Sequence, residues 1–285
     1  MSIKTLGTSA RMAVVGSLST VLPGYFGSLG ARAFLRPRPN TSARHWEAAF
    51  EGFQHRDICV DGHRVPFWIN GCGPLVLLVH GWERDHFAMG GFVAPLLDAG
   101  YTVAALDLPG HGAAEGDSAP LPLLAKAIAA VAEALGPPCA VVAHSIGAAM
   151  TVLAMEAHGL QPDSAVLICA PRTAKDYALA QARRQGLGRR ALQQMVLQIN
   201  EALGEPLERY RVDRALSSLA MPILLVHAED DAIVPLADAQ ENLQASSARS
   251  FWLPCGGHNR ILGDSHMIGV VLEWINCPVH EPAGA

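Results

Sequence analysis

The sequence has 285 residues, is 50% hydrophobic and only 16% charged, and carries a net charge of −5. That balance excludes an intrinsically disordered chain, which needs more charge and fewer apolar residues, and gives no cationic footprint for nucleic acid. The length suits one large α/β domain or two small ones, with a sizeable core either way.

The first segment with a pattern is residues 12–30, which carry no charge and precede Ala31-Arg32-Ala33, a small-residue sequence compatible with signal-peptide cleavage. Pro23 and four glycines interrupt it, and Leu18, Leu22, Tyr25 and Leu29 recur along one helical face. We read residues 1–40 as a helical segment packed on the domain, and the protein as cytoplasmic. The alternative is an exported protein whose residues 1–33 act as a leader. The stretch is short and only mildly apolar, so stable membrane insertion is not expected.

From about residue 57, short apolar runs alternate with helical patterns. The runs cover residues 64–69, 75–79 (LVLLV), 102–106 (TVAAL), 139–143 (CAVVA), 165–169 (AVLIC), 223–227 (ILLVH) and 249–253 (RSFWL). Helices are expected near 87–99, 121–135, 146–159, 236–245 and 264–276. Near-continuous apolar strands alternating with helices predict a mostly parallel central sheet flanked by helices, an α/β fold. Ligands of such sheets bind beyond the carboxyl ends of the strands. Between Pro171 and Ala220 the rhythm stops for some fifty residues that read as two or three helices, a length typical of a functional insertion. We read residues 172–220 as a small helical cap on a core of residues 41–171 and 221–285. The cap holds nine basic against five acidic residues, which either steers an anionic substrate or reflects solvated helix faces.

Chemistry-bearing residues follow the strands. LVLLV leads into His80-Gly81-Trp82, TVAAL into Asp107-Leu108-Pro109-Gly110-His111-Gly112, and CAVVA into His144-Ser145-Ile146-Gly147. ILLVH leads into Ala228-Glu229-Asp230-Asp231, and RSFWL is followed by Gly256-Gly257-His258. A serine on a tight strand-to-helix corner, then an acid, then a histidine is the chain order of one type of Ser-Asp-His triad. The six cysteines lack Cys-x-x-Cys spacing, and Cys139 and Cys169 fall in apolar runs, so they read as free thiols. His80, Asp85 and His86 hint at metal ligation, but their spacing fits no standard ligand set, and no metal is expected.

These five motifs, in this order and at strand ends, resemble the α/β-hydrolase fold family from about residue 57 to 277. Phe34-Leu35-Arg36-Pro37 after an N-terminal helix is similar to its small bacterial esterase-like members. The first glycine of that family's G-x-S-x-G elbow is here Ala143. The resemblance implies Ser145 as nucleophile, His258 as general base and Asp231 as the acid that orients it, with Asp230 as the alternative acid. It also implies the backbone N–H groups of Trp82 and Ile146 as an oxyanion hole. Asp107, His111, His80 and His144 are expected to be scaffold. The expected activity is hydrolysis of a small or medium carboxylic ester through an acyl-enzyme, with a small-molecule acyl substrate and no cofactor. Thioester or carbon–carbon bond hydrolysis, and a non-catalytic ligand-binding role, are the alternatives.

Overall fold

In the computed structural model, which describes residues 7–38 and 44–277, eight strands form one sheet. They are β1 (Gln54–Val60), β2 (His63–Asn70), β3 (Leu75–Val79), β4 (Thr102–Leu106), β5 (Ala140–His144), β6 (Ser164–Ile168), β7 (Ile223–Ala228) and β8 (Arg249–Leu253). Their spatial order is β1-β2-β4-β3-β5-β6-β7-β8. β2 runs antiparallel to both β1 and β4, and every other pairing is parallel.

Successive side chains of a strand point to opposite faces, and here both faces are covered. Leu77 and Val79 of β3, Ala104 and Leu106 of β4, and Val141 and Ala143 of β5 enter one core. It is closed by α4 (Leu121–Leu135) and α5 (Ile146–Ala157), through Leu124, Ile128 and Met150. Val76, Leu78, Val103, Ala105, Ala140 and Val142 enter the other. That one is closed by α3 (Val93–Asp98) and, near the C-terminus, by Met267, Val271 and Trp274. The unbroken apolar runs are two interleaved period-2 patterns, one for each core.

Three elements differ from the sequence reading. β1 was not anticipated, because QHRDICV at the sheet edge is mostly exposed and has no apolar alternation. It is recruited by the hairpin turn at Asp61-Gly62, both at positive φ. The helix expected over 87–99 is a 3-10 segment (His86–Phe92) followed by the short α3. Gly90 and Gly91 lie so close to Trp46 and the Leu262 carbonyl that a Cβ would meet them at 2.4 and 2.5 Å.

The third difference is at the N-terminus, which forms two helices, α1 (Thr8–Val21) and α2 (Pro23–Leu35), broken at Leu22-Pro23. The apolar row Leu18, Leu22, Tyr25 and Leu29 faces outward rather than into the domain. The inward contact is made by Gly27, Ala31 and Phe34. Small residues let α2 approach α7 (Arg189–Leu203) closely, a Cβ on Gly27 falling 2.6 Å from Gln194.

Between β6 and β7 the chain passes through α6 (Ala174–Arg184), α7 and α8 (Val212–Leu216). Beyond β7 come α9 (Leu236–Gln244), then, after β8, α10 (Gly257–Arg260) and α11 (Ser265–Asn276). Among the described residues no helix is long and apolar enough to cross a membrane.

Candidate active site

β5 ends at His144, and the next residue turns sharply into α5. Ser145 has φ 55° and ψ −124°, a strained conformation for a non-glycine residue, and its amide donates to the Ile168 carbonyl at 2.8 Å. The corner depends on small neighbours. A Cβ on Gly147 would sit 2.1 Å from the His80 carbonyl oxygen, and one on Gly81 would meet Ser145 at 3.0 Å. Ala143, where the family's pattern has glycine, is fully buried and its methyl joins the core, so the departure costs no space at the elbow.

The structure brings Ser145, His258 and Asp231 together from three strand ends. The Ser145 hydroxyl lies 2.8 Å from Nε2 of His258, whose Nδ1 lies 2.7 Å from Oδ2 of Asp231. With Nδ1–H donating to the carboxylate, Nε2 presents its lone pair to the serine proton. The other oxygen of Asp231 accepts the Ile233 and Val234 amides at 2.7 and 3.0 Å. Burial opposes the charge of Asp231, but the His258 bond, the charge on that ring and these two amides outweigh it and hold the carboxyl at about 2. Asp231 is therefore ionised throughout the range in which proteins work.

Asp230, the alternative acid, does not meet the His258 ring. Its Oδ1 accepts the amides of Gly256 and Gly257 at 2.8 and 2.6 Å, pinning the turn that carries His258. Sequence reasoning missed this role, although an acid next to Asp231 and two glycines before His258 were both visible. Gly256-Gly257 supplies amides with no side chain in the way, and Gly257 adopts φ 59°.

His144 also acts on that loop, donating from Nε2 to the His258 carbonyl at 2.8 Å. Burial first, and the neighbouring His258 second, drive His144 far below the usual histidine range, so it is neutral. His80 likewise spans two loops. Its Nδ1 donates to the Gly81 carbonyl at 2.7 Å and its Nε2 accepts the Leu108 amide at 3.0 Å. Trp82, directly after this clamp, stacks on Phe34 with ring centroids 6.0 Å apart. Asp107 accepts from the amide and ring of His86 and from the Ala113 amide, so both belong to the loop scaffold.

Two groups of potential metal ligands occur among the described residues, His144 with Cys169 and His258, and Cys169 with His227 and Asp231. Both include members of the hydrogen-bonded trio. Burial, then the Asp231 charge, pushes the Cys169 thiol well above its ordinary value. His80 and His86 are engaged in the loop bonds above.

Above Ser145 and His258 lies a cavity of about 540 Å³. Its apolar walls come from Phe26, Leu29 and Phe34 of α2, Tyr177 of α6, Met195 of α7 and Trp82. Its polar lining includes Arg11, Arg38, Glu83, Arg84, Gln181 and Asn259. The arrangement sets a serine hydroxyl within hydrogen-bond reach of a histidine ring nitrogen on the wall of this cavity, an arrangement that acyl transfer can use.

Comparison with known proteins gives the chain relatives in sequence and in fold. The sequence profile described as the Alpha/beta hydrolase family matches residues 76–273. A pimeloyl-[acyl-carrier protein] methyl ester esterase of Xanthomonas campestris pv. campestris is 29% identical over 250 residues, covering 71% of this chain and 95% of the relative. Among solved structures, the thioesterase domain from the curacin biosynthetic pathway superposes with a TM-score of 0.59 at 18% identity, over 79% of this chain and 99% of that one. A bacterial membrane phospholipase A superposes with a TM-score of 0.61 at 20% identity, over 93% of this chain and 97% of that one. At such identities the structural likeness is one of fold.

Proposed function

The chain belongs to the Alpha/beta hydrolase family, and from that premise we propose that it is a serine hydrolase that cleaves carboxylic esters of small or medium acyl chains. Ser145 attacks the ester carbonyl while His258 takes its proton, and Asp231 holds the imidazole in the required tautomer and stabilises the imidazolium. The amides of Ile146, at the start of α5, and of Trp82, on the loop beside Ser145, receive the oxyanion. His258 returns the proton to the leaving alkoxide; it then takes a proton from the water that attacks the acyl-enzyme and passes it to Ser145 Oγ as the acid departs. No step draws on a cofactor.

The observation that carries this reading is the continuous Asp231–His258–Ser145 contact, at 2.7 and 2.8 Å, beneath an apolar cavity. The cavity volume falls within the roughly 300–1,000 Å³ of small-ligand sites, and its aliphatic and aromatic walls suit an acyl chain better than a polar one. The named activity of the Xanthomonas relative supports the ester bond as the target. We assign residues 172–220 the role of a cap that, together with the helical segment within residues 1–40, shapes the acyl site.

The test is labelling by a fluorophosphonate probe, followed by rates on p-nitrophenyl esters of increasing chain length and on acyl-CoA thioesters. Labelling that disappears in Ser145→Ala, with turnover favouring esters, is the expected result. A folded protein that does not label refutes the serine mechanism, and faster turnover of the thioesters would replace the ester reading.

A further inference from the structure

Leu18, Val21, Leu22, Tyr25, Leu29 and Leu197 are between 38% and 75% exposed, and among the described residues they are the exposed large hydrophobic side chains. Five lie on α1, α2 and the junction between them, and the sixth on α7, the helix against which α2 packs. Singly exposed apolar residues are ordinary on a soluble protein; a set confined to one helical layer marks an interaction surface.

The same region has the most one-sided charge of the sequence. Residues 1–46 contain six basic residues (Lys4, Arg11, Arg32, Arg36, Arg38 and Arg44) and no acidic residue, in a chain whose net charge is −5. Arg32 on α2 and Arg189 and Arg190 at the start of α7 are exposed. The surface is also continuous with the cavity, because Leu29 belongs to both the outward row and the cavity wall.

We propose that α1 and α2 form a docking element that lays this face on an anionic lipid bilayer. The Leu18–Leu29 row enters the interface between headgroups and acyl chains, and Arg32, Arg189 and Arg190 contact the lipid phosphates, whereas Arg36 is paired with Asp117 at 2.9 Å. Two short helices that present an exposed apolar row with a cationic flank suit binding in the plane of a membrane, and the break at Pro23 with the shortness of both helices keeps them there rather than across it. A second copy of the chain is the poorer occupant, since a two-fold contact through this face would set its cations against the same cations. Docked this way, the cavity mouth lies at the lipid surface, so an acyl substrate reaches Ser145 from the bilayer. That last step rests on the esterase reading, whereas adsorption does not.

Adsorption is therefore measured on full-length Ser145→Ala, by co-sedimentation with vesicles of phosphatidylcholine, with or without about one third phosphatidylglycerol. Binding to the anionic vesicles should exceed binding to the neutral ones by about tenfold and weaken with salt. Adding Leu22→Asp and Tyr25→Asp should lower the partition coefficient by about tenfold or more while the thermal midpoint holds. With Ser145 intact, the double variant should hydrolyse a soluble short-chain ester as the wild type does and a bilayer-embedded ester about tenfold more slowly. Equal binding to both vesicle types, or undiminished binding by the variant, overturns the proposal. So does an intact mass showing residues 1–33 removed, or a dimer that the double variant dissociates without any vesicle binding.

Discussion

His144 holds the backbone of His258 in place, its Nε2–H meeting the His258 carbonyl oxygen at 2.8 Å across 114 positions of sequence. The elbow and the histidine loop are thus joined by a bond separate from the Ser145–His258 contact, and one residue of each pair adjoins the other. Removing the donor leaves a buried carbonyl unpaired, which costs about 1–3 kcal/mol. His144→Phe should lower kcat by about tenfold to a hundredfold with little change in KM, and His144→Gln, which can still donate, should recover much of it. Steady-state kinetics on a soluble ester checks this; unchanged kcat in the Phe variant would reduce His144 to filler.

Asp230 and Asp231 are adjacent, yet their carboxylates serve different partners. Asp231→Asn offers an amide where His258 needs an acceptor, and by analogy with other triads kcat should fall by about 10³–10⁴. Asp230→Asn keeps a side-chain oxygen for the Gly256 and Gly257 amides, so its loss should stay within about tenfold. Comparing kcat for the two variants decides the assignment. The reverse order would make Asp230 the triad acid.

Stability should fall on mild acidification because of buried histidines. Burial first, and the charge on His80 second, lower His111 to about 3 from its ordinary 6.5, and His80, His144 and His227 are lowered too, chiefly by burial. Between the folded and unfolded values the unfolded chain binds more protons, so stability rises with pH across that window and is lost as pH drops below about 6.5. For His111 alone the loss between pH 7 and pH 5 is about 2 kcal/mol. Urea midpoints at the two pH values should show that dependence, and His111→Phe should flatten it by about that amount.

The fold was legible because LVLLV, TVAAL and CAVVA, short apolar runs spaced by helical patterns, feed two cores at once, as strands covered on both faces do. The convergence of Ser145, Asp231 and His258 was legible because the carboxyl ends of parallel strands meet at one edge of the sheet. β1 escaped notice because an exposed edge strand needs no apolar pattern, its register being set by a hairpin. The outward face of α1 and α2 was misread for a related reason: helical periodicity shows that a face exists, and the small residues Gly27 and Ala31 decide which face packs. Asp230 was hidden by chemistry, since an acid that binds main-chain amides has no partner visible in a sequence.

The reacting groups stand on strand ends, while most of the apolar wall above them comes from α2, α6 and α7. Under the proposed function, catalytic power and acyl-chain selectivity are therefore held by separate parts of the chain. Redesign of the wall at positions such as Phe26 or Met195 can retarget the enzyme without touching the elbow.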